Sequence, residues 1–175
     1  NSTTDYVIAP MSVPSGLTAQ LTGVDHHGQH QVLDVAEERP LTIFLNSQEI
    51  VTAMTIGDYP EYLALGFLRN QGMLQADDQI TDISFDEELE TIVVRTARTT
   101  DYEAKLQKKT RTSGCAVGTV FGDMMEGLEA VKLPRSDIKT SWLYTLAAKI
   151  NRTPSLYLKA GAIHGTVLCH QDQPL

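Results

Sequence analysis

Lys108-Lys109-Thr110-Arg111-Thr112-Ser113-Gly114-Cys115-Ala116-Val117-Gly118 sets one sulfur atom between two glycines, just downstream of three cations. Such a run is poor material for a hydrophobic core and good material for a reactive thiolate. The thiolate is the nucleophilic form of cysteine, and nearby cations lower its pKa below the free value of roughly 8.5. Gly114 and Gly118 lend the backbone freedom. Thr112, Ser113 and Thr119 offer hydrogen-bond donors to an anionic sulfur. A helix starting near Gly118 would add the partial positive charge of its N-terminus. The bland alternative is an unreactive loop cysteine, since free cysteines are commonly buried and inert.

The surrounding chain bounds what this run serves. A length of 175 residues fits one domain or two small ones. Charged residues make up 21% and hydrophobic ones 42%, an ordinary soluble balance. The net charge of -8 argues against a nucleic-acid partner. A local basic patch still binds a small anion inside an acidic protein, so Lys108, Lys109 and Arg111 matter more than the total. The cysteines, Cys115 and Cys169, make neither a disulfide framework nor a zinc array, and they point to a reducing compartment. Near the start, Tyr6-Val7-Ile8-Ala9 is too short for a signal-peptide core. No apolar run approaches about 18 residues, so no membrane span is expected.

Working outward, Leu17 to Val24 alternates like a strand, Asp25-His26-His27-Gly28 reads as a turn, and the chain returns from His30 to Val35. With Leu41–Leu45 and Ile50–Ile56, the first 57 residues predict one small antiparallel sheet. Asp58 and Pro60 open a helix that Gly72 closes. Ile80–Asp86 and Leu89–Thr96 predict a hairpin around Glu87-Glu88. Residues 98–111 read as an exposed connection or frayed helix carrying the basic cluster. Val120–Val131 predicts a short helix weakened by Gly122 and Gly127. Ser136 is expected to cap a second helix running to about Asn151, with the stripe Ile138, Trp142, Leu143, Leu146, Ala147 and Ile150. Leu156-Tyr157-Leu158 is a short apolar stretch, and Ala162–Cys169 reads as a strand. Gln171 to Leu175 resembles the tip of a hairpin, which suggests a fragment of a longer protein.

Other chemistry is thin. Cys169 ends an apolar run and is expected to pack in a core; a resolving thiol for Cys115 would need Cα atoms within about 7 Å. His164 follows Gly161-Ala162-Ile163 and precedes Gly165, a run whose small members let a ligand approach, although a lone histidine near a strand is usually structural. His26, His27 and His30 read as a solvated turn, and His170 has no ligand spacing, so no metal site is expected. Glu37-Glu38 and Glu87-Glu88 are adjacent pairs whose side chains diverge. Neither a phosphate loop nor a dinucleotide fingerprint is present, which leaves an ATPase or a dehydrogenase without support.

Four stretches in order resemble one family. They are Arg111-Thr112-Ser113-Gly114-Cys115-Ala116-Val117-Gly118, Glu38 to Asn46, Tyr62 to Leu68, and Gly161-Ala162-Ile163-His164. Together they are similar to the formate dehydrogenase accessory sulfurtransferases. The resemblance implies an α/β (α+β) fold, a cytidine-deaminase-like sandwich with a smaller N-terminal β-rich part. On that reading residues 1–110 form the β-rich part with one helix, and 111–175 begin the second domain. It also implies a cytoplasmic homodimer that takes sulfur from a cysteine desulfurase as a persulfide on Cys115. The sulfur passes to the molybdenum or tungsten centre of formate dehydrogenase, whose cofactor is bis-molybdopterin guanine dinucleotide.

The resemblance makes Cys115 catalytic and gives cofactor contacts to Arg111, Thr112, Ser113, Gly114 and His164. Arg111 is the leading candidate for a pyrophosphate, because a guanidinium meets phosphate oxygens at two points. Lys108 and Lys109 read more readily as a solvated face. Two departures stand out: the family's loop has Cys-x-x-Cys where this chain has Gly118, and the family continues beyond residue 175 with further cofactor-binding segments. Gly118 gives weight to a non-catalytic cofactor carrier or dehydrogenase chaperone as the alternative. A nucleotide deaminase, suggested by the implied fold, lacks its His/Cys/Cys zinc set and His-x-Glu element here.

Overall fold

The computed structural model describes residues 16–98, 109–111, 119–121 and 131–175, the two three-residue segments by their backbone alone. The chain divides into two units, residues 1–17 with 38–132 and residues 18–37 with 133–175. The result is mixed α+β, as expected.

The first unit is organised by alternation. Strand β3 (Arg39–Leu45) buries Leu41, Ile43 and Leu45, and strand β6 (Thr91–Thr96) buries Ile92 and Val94. Successive strand side chains point to opposite faces, so these five line one face. β4 (Gln48–Thr55) runs antiparallel to β3, and β5 (Ile80–Asp86) antiparallel to β6, giving the order β4-β3-β6-β5. The β3–β4 register shifts after Ile43, and the neighbours Ile50 and Val51 are both buried. An extra residue in one strand is what lets two successive side chains reach one core.

Helix α1 (Pro60–Asn70) covers that face with Ala64 and Leu68, both fully buried. Pro60 occupies the first turn, where its missing N–H costs nothing. The N-cap is Tyr59, not Asp58. Gly72, at φ 68, ends the helix in the left-handed region as foreseen. Glu61 lies on the buried stripe, and its Oε2 has no hydrogen-bond partner among the described residues.

The expectation of a single antiparallel sheet over the first 57 residues is corrected. β3 pairs with β6 in parallel, Ile43 opposite Ile92, and not with the hairpin that precedes it. That hairpin, β1 (Thr18–Val24) and β2 (His30–Ala36), is a separate two-stranded sheet in the other unit. Its apolar residues Leu21, Val24, Val32 and Leu33 are all more than half exposed.

At the far end of β6 a polar clamp holds the chain. The Asn46 Oδ1 accepts from the Thr96 N–H, and its Nδ2 donates to the Thr96 Oγ1 and the Arg98 carbonyl. Arg98 meets both carboxylate oxygens of Asp78, whose side chain is 5% exposed. The Arg98 guanidinium holds the Asp78 carboxyl below its ordinary value of 3.8; burial opposes this and the Gln75 N–H adds to it. A lowered folded pKa stabilises the fold above the unfolded value, and that contribution disappears as pH falls through the folded one. Asp78→Asn is therefore expected to cost about 1 kcal/mol at pH 7, because Arg98 is partly solvated, and less at pH 2. Urea unfolding at both pH values checks this; an equal cost at both would refute it.

In the second unit, helix α2 (Thr140–Arg152) and the short helix α3 (Leu156–Ala160) contain no buried residue. α2 begins at Thr140 after Lys139, so Ser136 is not its cap. The residues between carry no regular structure, and Lys139 itself is extended. Lys139 instead lies over the Trp142 ring, 5.5 Å from its centroid. α3 replaces the expected apolar stretch and carries Lys159, which is 3.6 Å from Asp34 on β2. The strand expected over 162–169 shortens to β9 (Cys169–His170), paired with β10 (Gln173–Pro174). Gly161 and Ala162 both take positive φ, 64 and 52, which breaks an extended run at its start.

Candidate functional site

The cysteine run is bracketed by two short strands. β7 (Lys109–Arg111) pairs antiparallel with β8 (Thr119–Phe121), Arg111 opposite Thr119. Cys115 thus belongs to the connection, residues 112–118, between two paired ends. Thr112, Ser113, Gly114, Cys115 and Gly118 lie outside the described residues, as does Lys108. Two expectations are corrected here. Lys109–Arg111 is a strand and not the end of an exposed connection or frayed helix, and Thr119–Phe121 is a strand where a helix was expected from Val120. Thr, Val and Phe suit a strand better than a helix start. With Thr119–Phe121 in a strand, no helix begins at Gly118 to add partial positive charge beside the cysteine run. The remainder of the expected helix, 122–130, lies outside the described residues.

His164 is described, and it is exposed in the irregular stretch before β9. It lines a cleft of about 490 Å³ with Tyr157, Leu158, Ile163, Val167 and Pro174. The walls are mostly apolar, with Asn151, Thr153, Ser155 and His164 as the polar members besides the Tyr157 hydroxyl. A concave apolar site with few polar groups is the usual form of a small-molecule pocket. Sequence reading found His164 but missed the cleft. It draws on the end of α2, α3, residues 163–167 and β10, which no local pattern links.

Cys169 is free and only partly buried, outside the hydrophobic core cluster. Its Sγ lies 3.6 Å from the Val167 carbonyl oxygen. This corrects the expectation of core packing: Cys169 is only half-covered, and its neighbour His170 on β9 is exposed. Among the described residues no group of three or more His, Cys, Asp or Glu side chains could hold a metal ion. No described helix is long and apolar enough to cross a membrane.

Comparison with known proteins adds an independent line. A sulfur carrier protein FdhD from Bacillus pumilus is 24% identical over 142 residues, covering 80% of this chain and 54% of that protein. The sulfur carrier protein FdhD of Bacillus subtilis is 27% identical over 141 residues, covering 79% and 53%. The chain therefore spans about half the length of the curated relatives it matches. The crystal structure of a protein described as a formate dehydrogenase accessory protein from Desulfotalea psychrophila superposes with a TM-score of 0.61 at 19% identity. That match covers 94% of this chain and 60% of the other, and it shows a shared fold. The FdhD/NarQ family model matches residues 36–175, a range that holds the four-stranded sheet, the cysteine run and the His164 cleft, and the chain belongs to that family.

Proposed function

We propose that this chain is a sulfurtransferase that carries sulfur as a persulfide on Cys115. The observation that carries the reading is the position of Cys115. It lies inside the family-matched range, in a glycine-flanked connection between β7 and β8, preceded by Lys108, Lys109 and Arg111. The relatives' names, sulfur carrier and formate dehydrogenase accessory protein, support the same chemistry. The donor is a cysteine desulfurase. The Cys115 thiolate attacks the outer sulfur of the donor's persulfide, the donor's S–S bond breaks, and the donor departs as a thiolate. A thiol pKa near ambient pH serves this step best, since nucleophilic strength falls as pKa falls. The sulfur is destined for the molybdenum centre of formate dehydrogenase, and the bis-molybdopterin guanine dinucleotide is a substrate rather than a resident group.

On this reading Arg111, Thr112, Ser113 and Gly114 meet the pyrophosphates, and His164 meets the substrate through its cleft. Residues 111–175 open a cytidine-deaminase-like domain, and the protein works in the cytoplasm as a homodimer. Gly118, standing where a second cysteine is expected, favours one rival: a carrier or chaperone of the cofactor with no covalent step. Intact mass after incubation with a desulfurase and cysteine separates them. The sulfurtransferase gains the mass of one sulfur atom and Cys115→Ala gains none; no gain in the wild type supports the rival. Arg111→Ala is expected to weaken binding of GDP about tenfold, the worth of one charge-assisted pair. Unchanged affinity by calorimetry would remove Arg111 from the phosphate site.

A further inference from the structure

Lys149 sits near the end of α2 and reaches the β9–β10 hairpin. Its ammonium donates to the Asp172 carbonyl oxygen and to the Gln173 Oε1, each at 2.9 Å. Both acceptors are neutral, so the contact is directional rather than a simple charge pair. The hairpin needs such help. Its turn residue Gln171 stands at φ 56, a conformation that non-glycine residues adopt rarely. The Leu175 N–H reaches the Leu168 carbonyl oxygen at 2.9 Å, which ties the hairpin to itself and not to a helix.

Pro174 is the member of this hairpin that forms a wall of the His164 cleft. Proline has no N–H to donate, so it cannot fix itself through its own nitrogen. Its neighbour Gln173 is fixed by Lys149. We propose that Lys149 is a positioning residue, which holds the Pro174 wall against α2 and so sets the shape of the cleft beside His164. The inference rests on the reading of that cleft as a contact for the guanine dinucleotide.

The test compares Lys149→Met, which keeps the apolar stem and loses both donors, with Lys149→Arg, which keeps donors. Hydrogen exchange is measured over 169–175 and over 140–152, and GDP affinity by calorimetry. Lys149→Met is expected to speed exchange in the hairpin alone and to weaken GDP about tenfold, with most of both effects recovered in Lys149→Arg. Unchanged hairpin exchange in Lys149→Met overturns the proposal, and so does faster exchange with unchanged GDP affinity. If the wild type binds no GDP, the substrate reading of the cleft fails. The exchange comparison then still decides whether Lys149 holds the hairpin.

Discussion

On the proposed function, Cys115→Ser is expected to leave the protein folded and to abolish activation of formate dehydrogenase, a loss of more than about a hundredfold. The substitution replaces one atom. A serine hydroxyl is of similar size, but it is not ionised near neutral pH and cannot hold a second sulfur in a persulfide. Folding is checked by unfolding midpoint, sulfur loading by intact mass, and function by activation of the dehydrogenase. Loss of activation together with a lowered midpoint would leave the chemistry unproven, so Cys115→Ala is measured beside it; both must load no sulfur. Normal activation by the folded serine variant would remove the covalent mechanism. The carrier reading with Cys115 as a mere contact would then take its place.

What could be read in the sequence depended on how far apart the cooperating residues lie. The turn at Asp25 is local: its Oδ1 accepts from the His27 and Gln29 N–H groups, and those bonds lower its carboxyl pKa, Gln29 first. Helix α1 is local too, since Pro60 and Gly72 mark its ends, and so is the β5–β6 hairpin around Glu87. The parallel pairing of Thr42–Leu45 with Thr91–Val94 is not local. Alternation says that Ile43 must be buried on one face; it does not say which strand lies alongside. For the site the division is similar. Glycines, cations and one sulfur announce a chemistry wherever they sit together in sequence. The cleft beside His164 depends on Pro174 coming back to α2, and Lys149, which brings it there, looks like any solvated helical lysine.

The two units should answer differently to loss of the same side chain. Leu68→Ala in α1 is expected to cost about 2–5 kcal/mol, through lost transfer energy and the cavity left behind. Leu68 is fully buried in a cluster with Ile43, Leu45, Met73, Ile92 and Val94. Leu143→Ala in α2 is expected to cost less than about 0.5 kcal/mol, since Leu143 is 55% exposed and alanine is the better helix former. Both leucines belong to apolar stripes with helical spacing, and a sequence pattern treats them alike. What separates them is the sheet on which α1 lies, against the absence of any buried residue in α2. Urea unfolding of the two variants at neutral pH measures the difference. Equal costs would mean that the stripe of α2 is covered in solution, by a second copy or another part of the protein.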